Sequence, residues 1–186
     1  MKRLWIPFSV LVLVGAFLAS SGCSSPIPRR DPTGEPFPPV VGESLEGQRV
    51  ELPGAFTGEP VVLLVGYRQR TQFDLDRWLL GLAEAQVPVA VREVPTISGM
   101  VPWMISGTID GGMRRGIPKE DWGAVVTVYG DANKIEEFTG TENSLPGRIL
   151  LLDADGTVVF FHDRGYSVGA LQRLRDALKG IENDQS

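Results

Sequence analysis

The 186 residues contain one cysteine, Cys23, and one histidine, His162. That pair of counts excludes an internal disulfide, a Cys-x-x-Cys redox pair and a His/Cys zinc cluster. The fold must therefore rest on a hydrophobic core, and no metal or other cofactor is expected. At 42% hydrophobic residues the chain can build such a core, and its length suits one domain with some tail. A formal charge of −5 with only four Lys lacks the dense basic patch that phosphate neutralisation needs. No nucleic-acid partner is expected.

The surroundings of Cys23 give it a role. Met1-Lys2-Arg3 is a short basic start, Leu4 to Ala19 is almost wholly apolar, and small residues lead to the cysteine. This is the layout of a secretory signal. The sixteen residues Leu4 to Ala19 would rise about 24 Å as a helix. A hydrocarbon core is about 30 Å thick, which disfavours a permanent span. Ser20-Ser21-Gly22-Cys23 behind the apolar run resembles the bacterial lipobox, with Ser20 where that pattern most often has Leu. The resemblance implies a signal peptide over 1–22, acylation of Cys23 and attachment to the membrane through the lipid anchor. The alternatives are an ordinary signal with an incidental Cys, or an uncleaved anchor. Ser24 after the Cys leaves the outer membrane open in a cell with two membranes. Loss of Lys2 and Arg3 lowers the charge from −5 to −7, since two of 18 basic residues go and all 23 acidic residues stay. The expected location is the bacterial cell envelope, outside the cytoplasm.

Residues 24–39 hold six prolines and two large apolar residues, Ile27 and Phe37. Such composition favours extended geometry and predicts a tether over 23–39, reaching roughly 50 Å at about 3.1 Å per residue. A folded domain is expected over 40–182, with a short tail at 183–186. Arg49–Leu52 reads as a strand closed by Pro53-Gly54, and Val61–Gly66 as a strand buried on both faces. Thr71 and Asp74 resemble a capping box. Leu75, Trp78, Leu79 and Leu82 then predict an amphipathic helix over about 72–86. A strand follows over 88–94. Residues 98–116 suggest a helix weakened by Gly107, Gly111 and Gly112. Residues 124–129 read as a strand and 133–138 as a short amphipathic piece. Arg148–Asp153 and Thr157–His162 flank Ala154-Asp155-Gly156 as a hairpin. Ser167 caps a last helix with the stripe Val168, Leu171, Leu174, Leu178 and Ile181. This order is α/β with a mixed central sheet flanked by helices.

Three segments carry a family resemblance: Val40–Leu52, Val61–Tyr67 with its turn, and Leu145-Pro146-Gly147-Arg148 through Asp153-Ala154-Asp155-Gly156. They resemble the thioredoxin-like superfamily, especially its peroxiredoxin-like and cytochrome-maturation branches, in which the proline before the hairpin is often cis. Where that superfamily keeps a nucleophilic Cys, this chain reads Tyr67-Arg68-Gln69-Arg70-Thr71-Gln72-Phe73. Thr71 cannot replace a thiolate without a nearby base. Met113–Pro118, Gly147–Asp153 and Phe73–Trp78 are also similar to a family of mitochondrial ATP-synthase assembly factors on a peroxiredoxin-like core. That resemblance implies a chaperone of a membrane subunit, without redox cysteines.

Several residues are candidates for function. Arg68 and Arg70, with Trp78 and Pro146, could line a partner groove; the plainer account is a solvated loop and a structural turn. Met100, Trp103, Met104 and Met113, with Arg114 and Arg115, could form a contact surface for a partner helix or the bilayer. The plainer account there is core packing of an irregular helix, with arginines answering the helix dipole. Asp153 and Asp155 fit a hairpin turn rather than a calcium loop. His162 and Asp163 fit an ordinary exposed strand end. The expected function is a redox-inactive binding or assembly module for another envelope protein. The alternative is a peroxiredoxin-like or thiol-disulfide-type oxidoreductase with a non-Cys site.

Overall fold

A computed structural model describes residues 26–99 and 104–184. Strand β1 (Val40–Ser44) and β2 (Arg49–Leu52) form an antiparallel hairpin with Val40 opposite Leu52. Strand β3 (Val61–Gly66) follows, and its Val and Leu residues are all buried, as a strand covered on both faces requires. Helix α1 (Gln72–Glu84) returns the chain to β4 (Ala90–Pro95), which lies parallel to β3 with Val61 opposite Ala90. Helix α2 (Ser106–Gly116) and a 3-10 segment at Lys119–Ala124 lead to the short β5 (Val126–Thr127). Helix α3 (Ala132–Thr139) precedes the hairpin of β6 (Arg148–Leu152) and β7 (Val158–His162). Helix α4 (Val168–Asp184) closes the fold.

The main sheet runs β4-β3-β6-β7, with β6 antiparallel to β3 and to β7, so it is mixed. The smaller sheet runs β2-β1-β5. Isolated parallel bridges Glu93–Val125 and Thr96–Val128 join β5 to the β4 side. Alternation along β3 divides the core. Val61, Leu63 and Val65 pack with Ile135, Phe138, Leu150 and Val126, whereas Val62 and Leu64 pack with Leu75, Trp78, Leu174 and Leu178.

Several expectations are corrected. The capping box is not formed: Thr71 makes no side-chain cap. The Asp74 carboxylate instead accepts the amides of Gly147 at 2.9 Å and Tyr166 at 2.7 Å, which ties α1 to two distant loops. Gly81 on α1 is required by packing, since a Cβ there would lie 2.6 Å from the Tyr166 hydroxyl. Ser167 does cap α4, accepting the Ala170 amide at 3.1 Å, but Val168 is exposed because it precedes the first turn that reaches the sheet. Among the described residues the cis peptide is Leu52–Pro53, and the bond before Pro146 is trans.

The described part of the proline-rich stretch is docked rather than free. Ile27 donates its amide to the Thr141 hydroxyl at 3.0 Å, and its carbonyl accepts the amides of Thr141 and Glu142. Arg29 donates two hydrogen bonds to the carboxylate of Asp163, at 2.7 and 3.1 Å. Gly34 and Phe37 donate amides to the carbonyls of Val158 and Gly156, and Val158 donates to Glu35. Phe37 is buried edge-on against Phe138. Composition alone hides this docking, because every partner lies more than a hundred residues away.

Arg29→Ala leaves the buried Asp163 without its cation and is expected to cost about 1–3 kcal/mol in urea unfolding. Amide exchange at Gly34 and Phe37 is expected to accelerate. Unchanged exchange would show that the strap holds without the ion pair.

Candidate functional site

The turn after β3 is a 3-10 segment, Gln69–Thr71, that runs straight into α1. Its one hydroxyl, on Thr71, is buried and donates to the Ser144 carbonyl at 3.4 Å. Tyr67 points inward: its hydroxyl donates to the Ile135 carbonyl at 3.1 Å and lies 2.6 Å from the Thr139 hydroxyl. Burial pushes the pKa of that phenol well above its ordinary value. Over the Tyr67 ring, 5.0 Å from its centroid, sits the buried guanidinium of Arg148. Arg148 donates to the carbonyls of Pro146 at 2.8 Å and Gly140 at 2.9 Å, while its Nε has no hydrogen-bond partner. Burial is the main cause lowering its pKa. The interior behind the turn is thus filled by a Tyr–Arg stack.

The four groove candidates lie in different surroundings. Arg68 donates Nε–H to the Ser144 hydroxyl, and Arg70 is exposed with no hydrogen bond or ion pair among the described residues. Pro146 is half-buried in the loop before β6. Trp78 is 0% exposed and packs edge-to-face on Tyr166 at 5.4 Å, so it belongs to the core beneath the sheet. Its i, i+3, i+4 spacing with Leu75 and Leu82 already places it there.

The second candidate surface is partly described. Met100 and Trp103 lie outside the described residues. Met104 is 70% exposed and Ile105 49% exposed, so core packing does not hold for Met104. Only Asp110 is fully buried on α2, while Ile109 and Met113, four residues apart, are half-buried. Arg114 donates Nε–H to the Leu45 carbonyl at 2.7 Å and lies over Trp122, whereas Arg115 is exposed. A cavity of about 380 Å³ opens beside α2, lined among others by Glu43, Arg49, Ser106, Asp110, Arg114 and Tyr129. Tyr129 donates its hydroxyl to Asp110 at 2.8 Å. Nothing in the sequence links these two residues, which stand 19 positions apart without a shared periodic pattern. A second cavity of about 330 Å³ lies under the β6–β7 tip against α4.

The Asp153–Gly156 segment is a turn: the Asp153 carboxylate accepts the amides of Asp155 and Thr157, and Gly156 has φ +82°. The end of β7 is not an ordinary exposed end. Asp163 is buried on Arg29, and His162 Nε2 lies 2.8 Å from the Gly165 carbonyl. Among the described residues no three His, Cys, Asp or Glu gather as metal ligands. No described helix is long and apolar enough to cross a membrane.

Glu93, buried on β4, accepts a hydrogen bond from Gln72 at 3.1 Å. Desolvation outweighs that bond and raises its pKa. A raised carboxyl binds its proton more tightly folded than unfolded. Its contribution therefore favours folding below the ordinary Glu range and is lost as pH rises through the raised folded value. Glu93→Gln is expected to raise the urea midpoint at pH 7, with the gain vanishing below about pH 4. An equal gain at both values would sink this account.

No family model matches the sequence, and a comparison with curated proteins gives no match. Solved structures do match. An exposed lipoprotein thioredoxin of Streptococcus pneumoniae is similar at 15% identity and TM-score 0.52, over 75% of this chain and 98% of that one. BsSco, of the Sco family of cytochrome c oxidase assembly proteins, is similar at 15% identity and TM-score 0.54, over 82% of this chain and 97% of that one. A thiol peroxidase from Chromobacterium violaceum is similar at 12% identity and TM-score 0.53, over 84% of this chain and 95% of that one. The fold is therefore thioredoxin-like, an α/β arrangement with a mixed central sheet.

Proposed function

We propose that this thioredoxin-like chain is a redox-inactive module, held on the bacterial cell envelope by an acylated Cys23, that binds another envelope protein during its assembly. The observation that carries the reading is the turn after β3. It has no thiol, its hydroxyl is buried on a backbone carbonyl, and Tyr67 with Arg148 fills the space behind it. Thiol and peroxide chemistry needs an accessible thiolate, so the scaffold is left for binding. Two of the similar structures are of a lipoprotein and an assembly protein by their own descriptions.

Protein contact is assigned to the start of α2. Met104 and Ile105 are exposed apolar side chains beside the polar cavity, with Arg115 exposed at the other end of the helix. Met is an adaptable contact residue, and apolar side chains rimmed by polar groups suit a protein partner.

Purified protein is expected to turn over neither hydrogen peroxide nor a protein disulfide, and a photo-crosslinker at Met104 is expected to trap one envelope protein in cells. Measurable turnover, or no adduct from Met104, would overturn the reading. The intact mass of the membrane-extracted chain is expected to show acyl chains on Cys23; an unmodified thiol would remove the anchor.

A further inference from the structure

Strand register places several loops at one end of the main sheet. Gly66 stands opposite Pro95, Val65 opposite Arg148, and Ile149 opposite His162. The end of β3, the start of β6 and the end of β7 therefore coincide there. Asp74 gathers the same loops by accepting amides from Gly147 and Tyr166, so the starts of α1 and α4 share this end.

The strap enters the fold at the same place. Ile27 pairs with Thr141 and Glu142, Arg30 donates its amide to the Thr139 carbonyl, and Arg29 holds Asp163 just beyond β7. Only Ser24, Ser25 and Pro26 separate Cys23 from Ile27. Whatever their conformation, covalent geometry limits the distance between the two Cα atoms to about 14 Å. An acylated Cys23 consequently keeps this end of the fold close to the headgroups. The roughly 50 Å leash that composition suggests is not available once Ile27 is pinned.

The surface of that end matches such a position. Phe73 is 72% exposed at the start of α1, Leu145 49% exposed before β6, and Val168 74% exposed at the start of α4. Arg68 and Arg70 stand in the first of these loops and Arg164 in the last, and they make no ion pair among the described residues. Of the carboxylates nearby, Asp163 is paired with Arg29, while Asp74 and Glu142 accept only backbone amides and keep their charge, so three unpaired arginines stand against two carboxylates. A chain of net charge −5 thus presents a locally basic end studded with apolar side chains. That pairing suits an anionic bilayer, where arginines sit at the headgroups and aromatic or aliphatic side chains enter the interface.

We propose that the sheet end bearing Arg68, Arg70, Phe73, Leu145, Arg164 and Val168 rests on the surface of an anionic bilayer, oriented by the strap. The inference rests on the acylated Cys23 of the function proposed above and adds which face meets the lipid. It leaves the start of α2 on the β5 flank, where Tyr129 holds the Ser106 carbonyl at 3.5 Å.

The test uses the full chain, extracted from membranes and reconstituted into phosphatidylcholine vesicles with and without phosphatidylglycerol. Phe73→Cys, Leu145→Cys, Val168→Cys and, at the opposite end, Asp155→Cys each receive an environment-sensitive fluorophore; Cys23 is blocked by its acyl group. Spin-labelled lipid is expected to quench the first three severalfold more than Asp155→Cys. Charge reversal of Arg68, Arg70 and Arg164 together is expected to lower quenching at Phe73→Cys in anionic vesicles and leave it unchanged in neutral ones. Equal quenching at Asp155→Cys, quenching at none of the sites, or indifference to charge reversal would overturn the orientation. Intact mass of the same sample reports the acyl group separately. An orientation that fails with Cys23 acylated is thereby distinguished from a failure of the anchor.

Discussion

Strand β3 has no face left for water, and the rest of the molecule is arranged to keep it so. Val61, Leu63 and Val65 need a layer on one side, which α3 and the β1–β2–β5 sheet supply. Val62 and Leu64 need one on the other, which α1 and α4 supply. Each of these side chains stabilises the fold by up to about 1.5–3 kcal/mol through burial. Pairing with β4 is parallel and so demands a crossover, which α1 makes; pairing with β6 is antiparallel and brings the start of that strand beside the end of β3. The convergence of loops at one end follows from these two pairings. Any function placed at that end inherits its geometry from a strand that touches nothing outside.

What stands at that end is the packed pair of Tyr67 and Arg148. Arg148 stands out in β6, a guanidinium in a strand whose other residues are Ile and Leu. No carboxylate pairs with it among the described residues; two carbonyls and the face of Tyr67 take its place. Desolvating a cation is expensive, and the ring and carbonyl dipoles only partly offset the cost, as the lowered pKa reflects. The phenol beneath is locked by Ile135 and Thr139. A substrate approaching the turn would have to displace this stack. Recognition on the exposed rim requires no such opening.

Local patterns were legible because local physics decides them. The continuous apolar run of β3, the Ser167 cap and the Asp153–Gly156 turn depend on residues a few positions apart, and each stands where the sequence indicates. Trp78 was legible as well, since its helical spacing with Leu75 and Leu82 marks a core stripe, and it is fully buried there. Thr71 with Asp74 misled for the opposite reason. The carboxylate has the right spacing for a capping box, yet amides from Gly147 and Tyr166, some 73 and 92 residues away, compete successfully for it. The docking of Arg29 on Asp163 spans 134 residues, and Asp110 meets Tyr129 only because α2 folds back beside β5. Such contacts leave no periodic trace.

The strap joins two problems that otherwise look separate. β7 is an edge strand, and an unpaired edge invites association with other chains. Glu35 and Gly34 satisfy Val158, Pro36 bridges Thr157, and Phe37 plugs the core beside Phe138, so the start of that edge is covered from within the chain. Covering the edge uses up the residues that would have served as a leash. For a tethered binder this exchange has a direction: a long flexible linker offers reach, whereas a short one raises effective concentration and restricts orientation. A partner free in solution gains little from a fixed orientation. A partner confined to the same membrane gains both, because two molecules held in one plane meet through whichever faces that plane leaves open.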